Sequence, residues 1–250
     1  MYTKEEKYIE SSKVEQATEQ TLGQLLADCP IPQKELVKHL RLFMGRMDVQ
    51  DVLIFNDLYQ KILGTHGVIM EFGTRYGDNL ATLASLRGLH EPYVRSRKII
   101  GFDTFKGFIK VDEKDGAKAA KGDLSTTEGY ERFLDQILKS QEQLSPISQI
   151  QRYEIRKGDA VHQLKEYLEE NPETIVAMAI FDLDLYEPTR DCLNVLKDYI
   201  TKGSVIAFDQ VCYPNFPGET LALKEAFPLK EYALERSPLS SSMSYIQIPR

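Results

Sequence analysis

No stretch of this 250-residue sequence approaches the ~18 consecutive apolar residues of a membrane-spanning helix. Its N-terminal Met1-Tyr2-Thr3-Lys4-Glu5-Glu6 is polar and lacks the apolar centre of a signal peptide. Neither a membrane location nor secretion is expected. Cysteine is scarce: Cys29, Cys192 and Cys212 are odd in number and form no Cys-x-x-Cys pair. That argues against a disulfide framework or zinc knuckle and for a reducing, cytoplasmic setting. No block of about five basic residues occurs and the net charge is −7, which speaks against a broad nucleic-acid footprint. His39, His66, His90 and His162 share no metal-binding spacing. His162 reads as a solvated or capping residue. A Gly-x-Ser-x-Gly nucleophile elbow is missing, and so are internal repeats and low-complexity segments.

The length suits one α/β domain with a full core and some additions. Residues 1–64 read as a helical extension and 65–250 as the main domain. Residues 1–14 are charged and expected to fray. Residues 15–63 look helical, interrupted at Cys29-Pro30-Ile31-Pro32, where prolines stop one helix and start another. Leu36, Leu40, Phe43 and Met44 form a helical stripe that suits packing on the main domain, or a dimer face or lid. From Gly67 strands alternate with helices. Strands are expected at 68–72, 98–103, 153–157, 175–181 and 205–208, with closing strands at 230–235 and 243–248. Helices are expected at 78–89, 126–141, 160–170, 189–199 and 218–226. Residues 106–124 form a glycine- and lysine-rich loop, long enough to be functional. This alternation implies a parallel, doubly wound sheet.

Val68-Ile69-Met70-Glu71-Phe72-Gly73-Thr74-Arg75-Tyr76-Gly77-Asp78 is the most informative run. A strand ends in an acid, turns through two glycines and enters a helix. The dinucleotide fingerprint wants glycine where Arg75 stands, and no P-loop lysine follows. Glu71 before such a turn suits a ligand without phosphates and with positive charge. S-adenosylmethionine, with its sulfonium and ammonium groups, fits.

Glu71, Asp103, Asp159, Asp182 and Asp209 each fall at or just past a strand's C-terminal end, the edge where open α/β sheets bind ligands. Each has a plainer reading as a helix N-cap, which is strongest for Asp159. Asp103 precedes no helix and suits ribose hydroxyls. Asp182 and Asp209 follow neighbouring strands. With the amide oxygen of Gln210 they offer three hard ligands of a kind that suits Mg²⁺. Asp184 is either an acid behind that set or a cap for the helix expected at Thr189.

Four segments carry a resemblance. They are Glu71-Phe72-Gly73 with Gly77, Gly101-Phe102-Asp103-Thr104-Phe105-Lys106-Gly107-Phe108, Phe181-Asp182-Leu183-Asp184-Leu185-Tyr186-Glu187-Pro188-Thr189, and Gly203-Ser204-Val205-Ile206-Ala207-Phe208-Asp209. Together, over about residues 67–227, they resemble the macrocin O-methyltransferase family. The resemblance implies a Rossmann-like, doubly wound, seven-stranded sheet of class I methyltransferase type. It implies transfer of a methyl group from S-adenosylmethionine to a sugar hydroxyl, with Mg²⁺. By position it implies cofactor contacts from Glu71, Gly73, Arg75, Asp103, Thr104, Phe105, Gly158, Asp159 and Asp182, with Glu71 and Gly73 at the methionine end, Asp103 at the ribose and Gly158-Asp159 beside adenine. It implies metal ligation by Asp182, Asp209 and Gln210, with Asp182 near the accepting hydroxyl. A small, sugar-containing acceptor and a homodimer or larger homo-oligomer are the expected partners. The family usually shows two adjacent acids after the fifth strand, whereas the second here is Gln210. The rival readings are a catechol-type methyltransferase, which would carry a lysine base after the fourth strand where Leu183, Leu185 and Tyr186 offer none, a non-catalytic cofactor-binding relative, and, disfavoured by Arg75, an NAD-dependent dehydrogenase.

Overall fold

The structure is a computed structural model that describes residues 12–240 and 242–250. The fraying expected of residues 1–14 falls mostly outside the described residues. The chain divides into two compact units, Met1–Leu53 and Ile54–Arg250.

The first unit holds α1 (Lys13–Ala27), α2 (Gln33–His39) and the first half of α3 (Arg46–Lys61). Helix α1 starts at a reciprocal cap: the Ser12 hydroxyl accepts from Glu15 N–H while the Glu15 carboxylate accepts from Ser12 N–H. Pro30 and Pro32 separate α1 from α2, as expected from their missing N–H groups. Along the stripe, Leu36 and Phe43 are half-buried, and Leu40 (45%) and Met44 (38%) are exposed.

The second unit is a seven-stranded sheet in the order β3-β2-β1-β4-β5-β7-β6. The strands are β1 (Val68–Phe72), β2 (Ile99–Asp103), β3 (Tyr153–Lys157), β4 (Val176–Phe181), β5 (Ile200–Phe208), β6 (Leu234–Arg236) and β7 (Ser244–Gln247). Strands β1 to β5 run parallel, and β7 pairs antiparallel with both β5 and β6. The central strands β1 and β4 are buried at every position, which explains their unbroken apolar runs.

Alternation along the strands sends side chains into two cores. Val68, Met70 and Phe72 face α6 (Ala160–Glu170), α7 (Tyr186–Leu196) and α8 (Gly218–Ala226). Ile69 faces α4 (Asp78–His90), α5 (Tyr130–Gln143) and the second half of α3. Glu71, in register with Ile69, is therefore directed to the α4 side. Buried Glu142 joins this side together, pairing with Arg87 at 2.7 Å and Arg152 at 2.9 Å. Removing Glu142 would leave the two buried guanidinium groups without their countercharge.

Four elements start three or more residues from the sequence reading. Strand β6 covers only Leu234–Arg236 rather than 230–235, because the Glu231 and Tyr232 N–H groups close a turn onto Pro228 O. Helix α7 begins at Tyr186 rather than 189, because Pro188 occupies its first turn, where a missing N–H costs nothing. Strand β5 begins at Ile200, five residues before the expected start and three before its buried run. Helix α5 starts at Tyr130, after Gly129 in the left-handed region.

Candidate functional site

Four phenylalanines stand at the last or next-to-last position of the central strands. Phe102, Phe72, Phe181 and Phe208 lie in register on β2, β1, β4 and β5. Their rings stack at centroid separations of 4.8, 4.9 and 5.4 Å, with interplanar angles of 17° or less. The next residue on each strand is Asp103, Gly73, Asp182 or Asp209. Backbone pairing continues one step past the rings: Gly73 N–H donates to Phe102 O, Asp182 N–H to Phe72 O and Asp209 N–H to Phe181 O. The acids therefore stand level with one another on an apolar, water-excluding floor.

Each strand end then turns sharply through a residue in the left-handed region: Arg75 (φ 45°), Phe105 (φ 55°), Asp184 (φ 59°) and Cys212 (φ 60°). L-residues adopt this conformation at a cost, and such residues cluster at functional sites. Gly73 (φ 96°) is needed on a second ground. A Cβ there would lie 1.8 Å from the Asp182 carbonyl oxygen, so the β1 and β4 turns touch through it.

Glu71 is wholly buried, and neither carboxylate oxygen meets a well-formed hydrogen-bond partner, although Asn79 and Thr74 stand near enough to temper its charge. Burial, with Asp103 adding repulsion, pushes its pKa up to about 8. An unpaired buried acid directed at a ligand edge suits a cationic group. Asp103 accepts from Arg75 N–H at 2.7 Å and from Phe105 N–H, which orients both of its oxygens. Burial raises its pKa, and the two N–H bonds hold it back. Arg75 itself is exposed, its guanidinium 4.9 Å from the Tyr76 ring centre.

Thr104 and Phe105 serve the turn. The Thr104 hydroxyl donates to Gly107 O and accepts from Lys106 N–H, while the Phe105 ring is buried in the core beside α4 and α5. Gly158 N–H donates to Asp103 O. The Asp159 side chain caps α6 by accepting from His162 N–H at 3.0 Å, the plainer of its two readings, and His162 is exposed.

Asp182, Asp184, Asp209 and Glu219 form a mutually repelling group. Burial first, then Asp209, raises the pKa of Asp182 well above the usual carboxylate range. Asp184 is raised for the same two reasons, and its Oδ1 is buried without a partner. It does not cap α7, whose N-cap is Leu185. The α7 start is completed from a distance: Asp115, in a 3₁₀ turn of the 106–124 loop, accepts from Tyr186 N–H at 2.6 Å.

Among the described residues, no three His, Cys, Asp or Glu side chains come together as a ready-made metal cage. The Gln210 Oε1 is nonetheless buried and without a partner, close to where Asp182 and Asp209 emerge. Two carboxylates and an orphaned amide oxygen are hard donors, and they fit a cation that completes its shell with water and substrate oxygens.

Glu219 was not singled out from the sequence. A glutamate in the first turn of a helix is common, and its separations of 36 and 9 residues from its partners leave no local signal. It is 1% exposed, and its carboxylate accepts from Leu183, Asp184 and Gln210 N–H groups.

No family model matches the chain, and no curated protein does. Solved structures do. The calicheamicin methyltransferase CalS11 is 40% identical, with a TM-score of 0.92, over 96% of this chain and 94% of that one. Its apo form, described as a TDP-rhamnose 3'-O-methyltransferase of calicheamicin biosynthesis, is 38% identical, with a TM-score of 0.85, over 96% of each chain. The O-methyltransferase NovP, 19% identical over 81% of each chain with a TM-score of 0.60, shares the fold.

Proposed function

Because the chain belongs to the macrocin O-methyltransferase family and is an S-adenosylmethionine-dependent O-methyltransferase, we propose that it methylates a sugar hydroxyl with the help of Mg²⁺, on a deoxysugar carried by a nucleotide or a natural product. The observation that carries the acceptor class is the 38–40% identity, over nearly the whole chain, to an enzyme described as acting on TDP-rhamnose. The level row of acids at the sheet edge supports it, because a polyhydroxylated acceptor offers several O–H donors for carboxylates to accept.

In this reading the buried Glu71 carboxylate meets the methionine ammonium. Asp103, its two oxygens oriented by backbone N–H groups, accepts from the ribose hydroxyls. Gly158 and Asp159 border the adenine. Asp182, Asp209 and Gln210 would hold the metal, which would lower the pKa of an acceptor hydroxyl and orient it. S-adenosylmethionine supplies a methyl group on a sulfonium, whose departing thioether needs no acid. Asp182 takes the proton from the hydroxyl oxygen. A carboxylate within reach of the hydroxyl can act as general base, although its own bond to the metal would lower its basicity. The chain's main contribution is alignment, holding the attacking oxygen in line with the methyl carbon.

The test is turnover of S-adenosylmethionine with TDP-rhamnose and a panel of glycosylated acceptors, with Mg²⁺ and with EDTA. Methylated sugar that appears with Mg²⁺ and disappears with EDTA is expected. Full activity in excess EDTA removes the metal, and methylation of catechols alone removes the sugar.

A further inference from the structure

Glu219 is the second residue of α8, yet its carboxylate reaches both acid-bearing turns. Oε1 accepts from Leu183 N–H at 2.8 Å and Asp184 N–H at 3.1 Å, and Oε2 accepts from Gln210 N–H at 3.4 Å. One buried side chain thus joins the turn after β4 to the turn after β5. From this bridging we propose that Glu219 is a positioning residue that sets the spacing of Asp182 against Asp209 and Gln210. The proposal rests on the metal reading above.

Two features argue that this role is more than packing. A carboxylate offers an acceptor to each turn. A glutamine of the same shape has one oxygen, so it serves one turn and sets an N–H₂ group against the other. A buried carboxyl group beside three further carboxyl groups, its pKa pushed up by burial and by Asp184 and Asp209, is also an expensive way to fill space. The α8 N-terminus compensates in part, because its free N–H groups favour an anion in the first turn.

Gly218 supplies an independent observation. A Cβ there would lie 2.6 Å from Tyr186 N, 2.7 Å from Asp115 Oδ1 and 3.0 Å from Asp184 O. Only glycine lets the start of α8 abut the β4 turn closely enough for the next residue to reach both turns. Residues that orient metal ligands without touching the metal commonly change metal affinity on the order of tenfold to a hundredfold.

The experiment compares wild type, Glu219→Gln and Gly218→Ala. Calorimetry measures Mg²⁺ binding to enzyme saturated with S-adenosylhomocysteine, alongside S-adenosylhomocysteine affinity, melting temperature and turnover against Mg²⁺ concentration. In Glu219→Gln, Mg²⁺ binding weakens about tenfold or more. S-adenosylhomocysteine affinity stays within about twofold, the melting temperature does not fall, and most of kcat returns at saturating Mg²⁺. A residue that only stabilised the fold would lower melting temperature and cofactor affinity together and leave the Mg²⁺ constant of the folded fraction unchanged. That pattern, or wild-type Mg²⁺ affinity in Glu219→Gln, overturns the proposal alone. Wild-type enzyme that binds no Mg²⁺ overturns the metal reading and the proposal with it. Should Glu219→Gln fail to fold, Gly218→Ala decides: weakened Mg²⁺ binding with cofactor affinity kept is expected, and unchanged Mg²⁺ binding overturns the proposal.

Discussion

Glu71 is fully buried at the end of β1 with no ion-pair partner, and in the free enzyme it is held largely neutral at pH 7. Its folded pKa of about 8 lies above its ordinary 4.5, so the folded state binds more protons than the unfolded state between those values. Stability from this group is therefore full below about pH 4.5 and is lost progressively as pH rises to about 8. Glu71→Gln removes that slope. Thermal scans of the ligand-free enzyme at a series of pH values are expected to show the variant gaining on wild type from pH 5 to pH 8. The gain is at most a few kcal/mol, at about 1.4 kcal/mol per pKa unit. The same substitution weakens binding of S-adenosylmethionine, whose ammonium group loses a countercharge. A gap that does not change with pH contradicts this account. At Asp103 the expectation is simpler. Asp103→Ala leaves the N–H groups of Arg75 and Phe105 without their acceptor and removes the ribose partner. S-adenosylhomocysteine affinity then falls by roughly 5- to 150-fold, since leaving ribose hydroxyls without their acceptor costs about 1–3 kcal/mol. Unchanged affinity in calorimetry would remove Asp103 from the cofactor site.

At the scale of elements, the 106–124 loop is fastened to the start of α7 by one buried carboxylate. Asp115 accepts from Tyr186 N–H and, at 2.6 Å, from Asp112 N–H. Asp115→Ala leaves both without a partner and uncaps α7. A loss of about 1–2 kcal/mol in stability is expected. Because the loop docks beside Asp184, KM for the acceptor rises while S-adenosylhomocysteine affinity is kept, which steady-state kinetics and calorimetry read separately. The parallel strands, the acid row and the glycine turns were legible in the sequence, because a buried strand of a parallel sheet is an apolar run and its ligand edge begins where that run meets an acid. The start of α7 was not, because Pro188 reads as a boundary when it stands inside the first turn. Nor was its cap, since Asp115 lies 71 residues away in sequence. Local patterns show where a carboxylate emerges from a strand. They do not show what it faces, so Glu219 and the left-handed turns at Phe105 and Asp184 needed the packed structure.

For the whole molecule, ligand and fold are linked by mass action. S-adenosylhomocysteine at about a hundredfold excess over its Kd stabilises the folded state by about 2.7 kcal/mol. For a chain of this size that is an upward shift in melting temperature of roughly 5–10 °C. NAD should produce none, because Arg75 stands where a pyrophosphate-binding turn needs glycine. A shift with NAD and none with S-adenosylhomocysteine would refute the cofactor assignment made for this fold.

The stacked phenylalanines beneath the acids bear on how the enzyme tolerates its own thermal motion. In-line transfer is spoiled by errors in relative position, and a drift shared by all the participants does no harm. Four rings in continuous contact at the ends of neighbouring strands act as a common plinth. A displacement of one strand end is passed to the next, so the turns that carry Asp103, Asp182 and Asp209 ride up and down together. Fluctuations that would blur a site assembled from independent loops cancel here as common-mode noise.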